Sequence, residues 1–163
     1  MVNISNIEKL IIAQLQAELI GQGHDATGSL VNSFESNSIS LPEKVVIEIL
    51  MSDYGIYVNE GRKAGAKRVP LQVLMDWVER RAIASGNKEV KQVAFAIQEK
   101  IFQEGSPTSG SFKFTPNGRR KGFIDFVIDN KLDPILEQLG NEVFKNFDTL
   151  VADIVKDFNI KNK

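Results

Sequence analysis

The stretch DYGIYVNEGRKAGAKRVP, residues 53–70, lies between an apolar segment with strand spacing and one with helical spacing. It holds both tyrosines of the chain, Tyr54 and Tyr57, together with three glycines and four basic residues between Arg62 and Arg68. Glycines beside basic residues can cradle a phosphate, but a phosphate-binding loop ends in Gly-Lys-Ser/Thr, which is missing here. A contact with nucleic acid and a contact with a neighbouring subunit both remain open.

On the N-terminal side of this stretch the sequence predicts a helix and a strand. Ser5 and Glu8 form a capping-box pattern, and apolar residues then recur at helical spacing as far as Gly21. Residues 44–52 are rich in β-branched side chains and place apolar residues on one face and Lys44, Glu48 and Ser52 on the other, which predicts a strand. Between them, residues 30–34 fit either a strand or a helix.

On the C-terminal side the sequence predicts a helical hairpin. Pro70 suits the first turn of a helix whose apolar pattern ends at Ser85 and Gly86. Asn87 can cap a second helix, which ends at Gly105. Trp77 belongs to the apolar pattern, so we interpret it as a core residue rather than a ligand platform.

The last third of the chain begins with a segment of different composition. Residues 106–122 are rich in glycine, serine, proline and basic residues, and Phe112 and Phe114 alternate before an Asn-Gly pair. This composition predicts a flexible arm or an exposed hairpin. Apolar residues then recur in steps of three and four from Leu136 to Phe158. They predict a long amphipathic terminal helix, whose heptad-like spacing is interrupted by Gly140.

Length and composition favour one domain over residues 1–163. We predict an α+β fold in which a small antiparallel sheet packs with an N-terminal helix, a helical hairpin and a long C-terminal helix. The chain has 20 basic and 21 acidic residues and no cysteine, so no global field attracts polyanions and thiolate chemistry is excluded. Neither a signal peptide nor a membrane span is predicted.

Candidate catalytic groups are few. His24 is the single histidine and lies in a polar turn with no recognisable partner, so we interpret it as a solvated loop residue. Asp125, Asp129 and Asp133 recur every four residues but lack the glycine and terminal glutamate of a calcium loop. We therefore expect neither enzymatic activity nor a cofactor nor a metal.

Two basic segments, residues 62–68 and 119–121, carry the cations that could meet phosphate groups. Exposed loops paired with acidic neighbours explain the same residues, and we favour that explanation.

The order of four elements resembles the head-tail joining and tail-completion family of tailed bacteriophages. The elements are T-G-S-L-x-x-S-F at residues 27–34, a strand, Y-x-x-Y-V-x-x-G-R at residues 54–62, and V-P-x-x-x-L-x-x-W at residues 69–77. The resemblance extends from about Ile7 to the last helix. It implies a non-enzymatic virion protein, made in the host cytoplasm, that forms a homo-oligomeric ring at the neck or the top of the tail.

The same resemblance implies portal, connector and tail proteins as partners and no membrane. A ring needs two different surfaces on each subunit, which a tyrosine-bearing loop and an aromatic arm can supply. DNA passing through the ring is a further partner for the basic residues, and a nucleic-acid-binding or DNA-packaging accessory role is the alternative. The candidate contact residues are Tyr54, Tyr57, Arg62, Lys63, Lys67, Arg68, Phe112, Phe114, Arg119 and Arg120.

Overall fold

The structure is a computed structural model that describes residues 4–25, 27–41 and 44–161. It confirms the predicted α+β class, with several helices and a small antiparallel sheet that packs against the N-terminal helix. The regular elements in chain order are α1 (Ile4–Gly21), β1 (Glu35–Ser40), β2 (Val45–Leu50), α2 (Tyr54–Glu60), α3 (Leu71–Arg80), α4 (Asn87–Glu104) and α5 (Phe123–Lys161).

The N-terminal helix is where the sequence predicts it, although it begins at Ile4, so Ser5 lies inside the helix instead of capping it. Its buried face carries Ile7, Leu15 and Leu19. These residues recur at intervals of four and eight, which places them on one side of a helix with 3.6 residues per turn.

The sheet has two antiparallel strands, with Glu35 opposite Leu50 and Ser40 opposite Val45. β2 confirms the predicted strand. β1 was not predicted, because its sequence ESNSIS is mostly polar and its described side chains are exposed, so it shows no alternation between core and solvent. The undecided residues just before it form a 3₁₀ turn, Val31–Ser33.

The tyrosine-bearing segment is the helix α2, and the prediction of a loop there is wrong. Gly55 lies inside this helix, where a larger side chain would collide with Met51. The helix ends at Gly61, whose φ of 79° is readily adopted by glycine and costly for other residues.

The predicted helical hairpin is confirmed in α3 and α4, which pack against each other around Leu74, Val78, Val90 and Ala94. This cluster is separate from the main core, which α1, α2 and the start of α5 build together with Leu30. The main core consists of Leu15, Leu19, Leu30, Val58, Phe123 and Val127.

The chain enters and leaves the hairpin region at one point. Arg62 and Ser106 form an isolated antiparallel bridge, with two backbone N–H···O bonds of 2.9 Å. Gly61 and Gly105 flank the bridge with positive φ angles, and a side chain on either would collide with the backbone of the other arm. These glycines allow the two arms to approach closely.

The segment 106–122 lies against the body of the protein instead of forming an arm or a hairpin. Residues Ser109–Phe114 form 3₁₀ turns that begin at a capping box between Thr108 and Ser111. Farther along, the backbone N–H of Asn117 donates to the carbonyl of Gly21, at the end of α1. The side chains of Asn117 and Arg119 also donate to Glu18 of α1. Composition alone does not reveal these bonds between the segment and α1.

The predicted long terminal helix is confirmed in α5, which has 39 residues and is about 58 Å long at 1.5 Å per residue. Its first half contributes Phe123, Val127 and Ile135 to the buried part of the protein. Every described side chain from Asn141 to Ala152 is exposed. Among the residues that the structure describes, no helix is both long and apolar enough to cross a membrane.

Candidate assembly surfaces

The two tyrosines lie side by side on the outer face of α2. Residues three apart share one side of a helix, and Tyr54 and Tyr57 are each 63% exposed. The opposite side of α2 carries Gly55 and Val58, which are buried against the main core. Because the core fixes this helix from behind, both phenol rings are held facing solvent. Ile56, half exposed, adds an aliphatic side chain to the same helix.

The first basic segment is largely tied to the protein itself. The guanidinium of Arg62 donates to the carbonyl of Lys67, and Arg68 forms an ion pair with Glu99 on α4. The Arg68 guanidinium also lies 4.3 Å from the centre of the Phe102 ring. Lys63 and Lys67 are exposed and form no ion pair with any described residue.

In the second basic segment, both arginines bond to groups of the same chain. Arg119 donates to both carboxylate oxygens of Glu18 at 2.8 Å and stacks 3.7 Å from the centre of the Phe126 ring. Arg120 donates to the carbonyls of Gln22 and Gly23. Burial lowers the pKa of Arg120, and the positive charge of Arg81 acts in the same direction. Both guanidinium groups are therefore engaged within the chain, and the Arg119 side chain is still 41% exposed.

Glu18 is the centre of this polar cluster. It is only 8% exposed and accepts hydrogen bonds from Gln22, Asn117 and Arg119. Burial alone would raise the pKa of this carboxyl, but the bonds from Arg119 and Gln22 outweigh it and lower the pKa. The cluster joins α1 to the segment 106–122, and Arg119 extends the connection to α5 through Phe126.

The two predicted aromatic anchors of the segment 106–122 have different surroundings. Phe112 is 47% exposed. Phe114 is partly buried, and its ring meets Trp77 edge to face at a centroid distance of 5.4 Å. Trp77 and Phe114 line a cavity of about 350 Å³ between α4 and this segment. Trp77 also packs, partly buried, against the hairpin cluster, as predicted.

His24 is partly buried, and its interpretation as a solvated loop residue is wrong. Its Nε2 lies 3.1 Å from the carbonyl oxygen of Arg120, so the neutral ring donates its N–H there. Burial lowers its pKa to about 4, and the positive charge of Arg120 contributes to the shift. In the described part of the chain, no group of three or more His, Asp or Glu residues is placed to hold a metal ion.

Two apolar surfaces on α5 complete the picture. The first, which we call the distal stripe, consists of Val143, Phe144, Phe147, Leu150 and Val151, all exposed. The second, which we call the three-element groove, is an open groove of about 630 Å³ between α1, β2 and α5. It is lined by Ile4, Ile7, Ile11, Val45, Ile47, Ile49, Ile128, Leu132, Leu136, Leu139 and Val143.

Sequence reasoning found the stripe as a repeating pattern but missed the groove. The pattern of α5 shows which side of the helix is apolar, whereas the groove also needs side chains from α1 and from β2. The signal present in the sequence was the run of β-branched residues in β2, more apolar than a strand needs when one face is solvated.

The chain matches no protein-family model, no curated protein and no solved structure. Its function is therefore argued from its own residues and surfaces.

Proposed function

We propose that this chain is a structural protein of a tailed-bacteriophage virion that forms an oligomeric ring at the head-tail junction and bridges the portal or connector to the tail. The observation that carries the proposal is the order of the four motif elements, residues 27–34, a strand, residues 54–62 and residues 69–77. In the fold, these elements follow one another as a turn, β2, α2 and the start of α3.

The exposed tyrosine face of α2 supports an assembly role. Tyrosine is enriched at protein interfaces because its ring buries a large apolar area while its hydroxyl can still form a hydrogen bond. Tyr54 and Tyr57 are each 63% exposed although the helix that bears them is anchored in the core. A rigid helix that presents two aromatic rings loses little conformational entropy when a partner covers them.

A second kind of surface lies along α5, on other elements of the fold. The distal stripe exposes five apolar side chains, including Phe144 at 71% and Phe147 at 61%. Contiguous apolar patches of this kind on a protein surface mark sites of interaction. A subunit of such a ring needs surfaces for its neighbours as well as for the proteins that the ring joins, and α2 and the second half of α5 supply two surfaces of this kind.

The alternative role in binding nucleic acid loses much of its support. Arg68, Arg119 and Arg120 are engaged with groups of the same chain, and the chain as a whole has a net charge of −1. Lys63, Lys67 and Lys121 remain exposed. Three exposed lysines give a weak and non-specific attraction to phosphates.

The proposal is tested in the phage whose genome encodes the chain. We expect mass spectrometry of purified virions to detect the protein, and electron microscopy with a labelled antibody to place it at the head-tail junction. The double change Tyr54→Ala and Tyr57→Ala should leave the protein folded but give heads and tails that do not join. Glu79→Ala, a change at an exposed site on α3, serves as the matched control. Virions that are complete and infectious without the protein would refute the proposal.

A further inference from the structure

The distal stripe has no packing partner in the described part of the chain. Every described side chain from Asn141 to Ala152 is exposed, and Phe144 is 71% exposed. An isolated helix of this length is marginal in water, because its backbone hydrogen bonds barely offset the entropy of ordering it. The second half of α5 therefore gains stability when its apolar side is covered.

The spacing of the stripe fits one way of covering it. Val143, Phe147 and Leu150 are separated by four and three residues, and Phe144 and Val151 by seven. At about 100° per residue, these five side chains fall within an arc of roughly 120°. Anchors at i, i+4 and i+7 are the pattern of an amphipathic helix that lies in an apolar groove of a partner.

The same chain carries such a groove. The three-element groove is lined by aliphatic side chains alone, and three of them are about half exposed: Val45 at 48%, Ile128 at 52% and Leu136 at 47%. No polar side chain is among the described residues that line it. An occupant of this groove is held by apolar contact over its length.

The stripe cannot fill the groove of its own chain. Ile128, Leu132, Leu136, Leu139 and Val143 of α5 form one wall of the groove, and the stripe, which shares Val143 with that wall, continues along the same helix. Because the wall and the stripe belong to one helix, the stripe cannot also lie opposite that wall. The two surfaces can meet only between different copies.

The contact area is sufficient for such a pairing. A phenylalanine buries about 150–250 Å² when it is fully covered, so Phe144 and Phe147 still offer on the order of 100 Å² each. Together with the aliphatic members of the stripe and the facing walls of the groove, the contact removes on the order of 1,000 Å² from water. Specific interfaces begin at about this size.

We propose that the distal stripe of one copy binds in the three-element groove of a second copy. This inference rests on the proposed ring, and it names the contact between its subunits. The stripe and the groove adjoin at Val143 and otherwise consist of different residues, so the contact is head-to-tail, and each copy can give a stripe to one neighbour and a groove to the other. The tyrosine face of α2 is left for portal or tail proteins.

Two variants separate the donor surface from the acceptor surface. Phe147→Glu places a negative charge in the stripe, and Val45→Glu places one in the groove; the two positions are 61% and 48% exposed, so each variant is expected to fold. Thr149→Glu lies on the opposite side of α5 and is the control. Circular dichroism confirms folding, and sedimentation equilibrium and native mass spectrometry measure self-association of the full chain.

We expect the wild type and Thr149→Glu to self-associate alike, and each of the other two variants to bind at least about 30-fold more weakly, the effect of losing a strong interface anchor. An equimolar mixture of the two variants should form 1:1 dimers, because one intact stripe and one intact groove remain in each pair. Such dimers cannot grow, since the remaining stripe and the remaining groove both carry a negative charge and repel each other.

Three results would overturn the inference. If Val45→Glu associates like the wild type, the stripe pairs with another stripe instead of the groove. If the mixture stays monomeric, the two surfaces do not recognise each other. If both variants still form the wild-type oligomer, the ring uses another contact, and the proposed function stands while this inference fails. A protein absent from virions would instead refute the proposed function, whatever the variants do.

Discussion

Phe123 and Phe147 are the same residue type on the same helix, and their surroundings are opposite. Phe123 is fully buried, with its ring edge to face against Phe34 at 6.4 Å. Phe147 is 61% exposed. The first half of α5 packs on α1 and is joined to it by the Glu18 cluster, whereas the second half extends beyond both.

The difference shows what helical periodicity can reveal. A spacing of three and four residues fixes which side of a helix is apolar, and this holds for both halves of α5. It does not reveal what covers that side. In the first half the cover comes from residues more than a hundred positions earlier in the chain, such as Leu15 and Leu19.

The largest predicted effect compares the two phenylalanines directly. Phe123→Ala should lower the free energy of unfolding by about 4 kcal/mol, because it removes a buried ring and leaves a cavity in the main core. Phe147→Ala should change it by less than about 0.5 kcal/mol in dilute, monomeric protein. Urea denaturation followed by circular dichroism measures both. Equal losses would mean that the second half of α5 is packed in the monomer.

An intermediate effect is predicted for the cluster that joins α1 to the first half of α5. Glu18→Ala should lower the free energy of unfolding by about 3 kcal/mol, since it leaves the buried donors of Gln22 and Asn117 without their acceptor. Asp148→Ala removes an exposed carboxylate from the second half of α5 and is the matched control. Thermal unfolding of the two variants side by side gives the comparison, and a loss below 1 kcal/mol for Glu18→Ala would contradict it.

The smallest effect is a dependence of the free energy of unfolding on pH. It comes from His24, which lies just after the end of α1. Burial lowers the pKa of His24 to about 4 in the folded chain. Between pH 6.5 and pH 4 the unfolded chain therefore binds a proton that the folded chain does not bind. The contribution of neutral His24 to stability is therefore fully present above pH 6.5, and it is lost as the pH falls through this window. The loss amounts to about 2 kcal/mol between pH 7 and pH 5.

His24→Gln keeps a hydrogen-bond donor for the carbonyl of Arg120 and does not titrate. We expect its unfolding free energy to change little between pH 7 and pH 5, while the wild type becomes less stable. Denaturant titrations at half-unit steps of pH measure the two curves. Parallel curves would show that His24 does not cause the loss.

Much of the fold follows from local patterns in the sequence. The α+β class, α1, β2, the hairpin of α3 and α4, and α5 are all marked by apolar spacing, together with residues such as Pro70 and Gly105 that begin or end a helix. What escaped prediction lacks a local pattern. β1 has a polar sequence, and α2 contains Gly55, where a larger side chain would collide with Met51.

The candidate site divides in the same way. Tyr54 and Tyr57 are exposed, as an interface residue must be in the free protein, and Phe112 is exposed as well. For Arg119 and Arg120 the sequence favoured an exposed loop paired with acidic neighbours, but it did not identify those neighbours. Their partners, Glu18 and Gln22, are about a hundred residues away, and only the folded chain brings them together.

The bridge between Arg62 and Ser106 has a consequence for how this chain can be altered. The main core contains no residue from the region between these two positions, and the hairpin cluster contains none from outside it. In topological terms the helical hairpin is an insertion whose ends already meet. Such positions tolerate exchange of one module for another, because the host keeps its own buried residues. The hairpin is therefore the part of this protein that can be shortened, lengthened or replaced while the scaffold that carries α2 and α5 keeps its core.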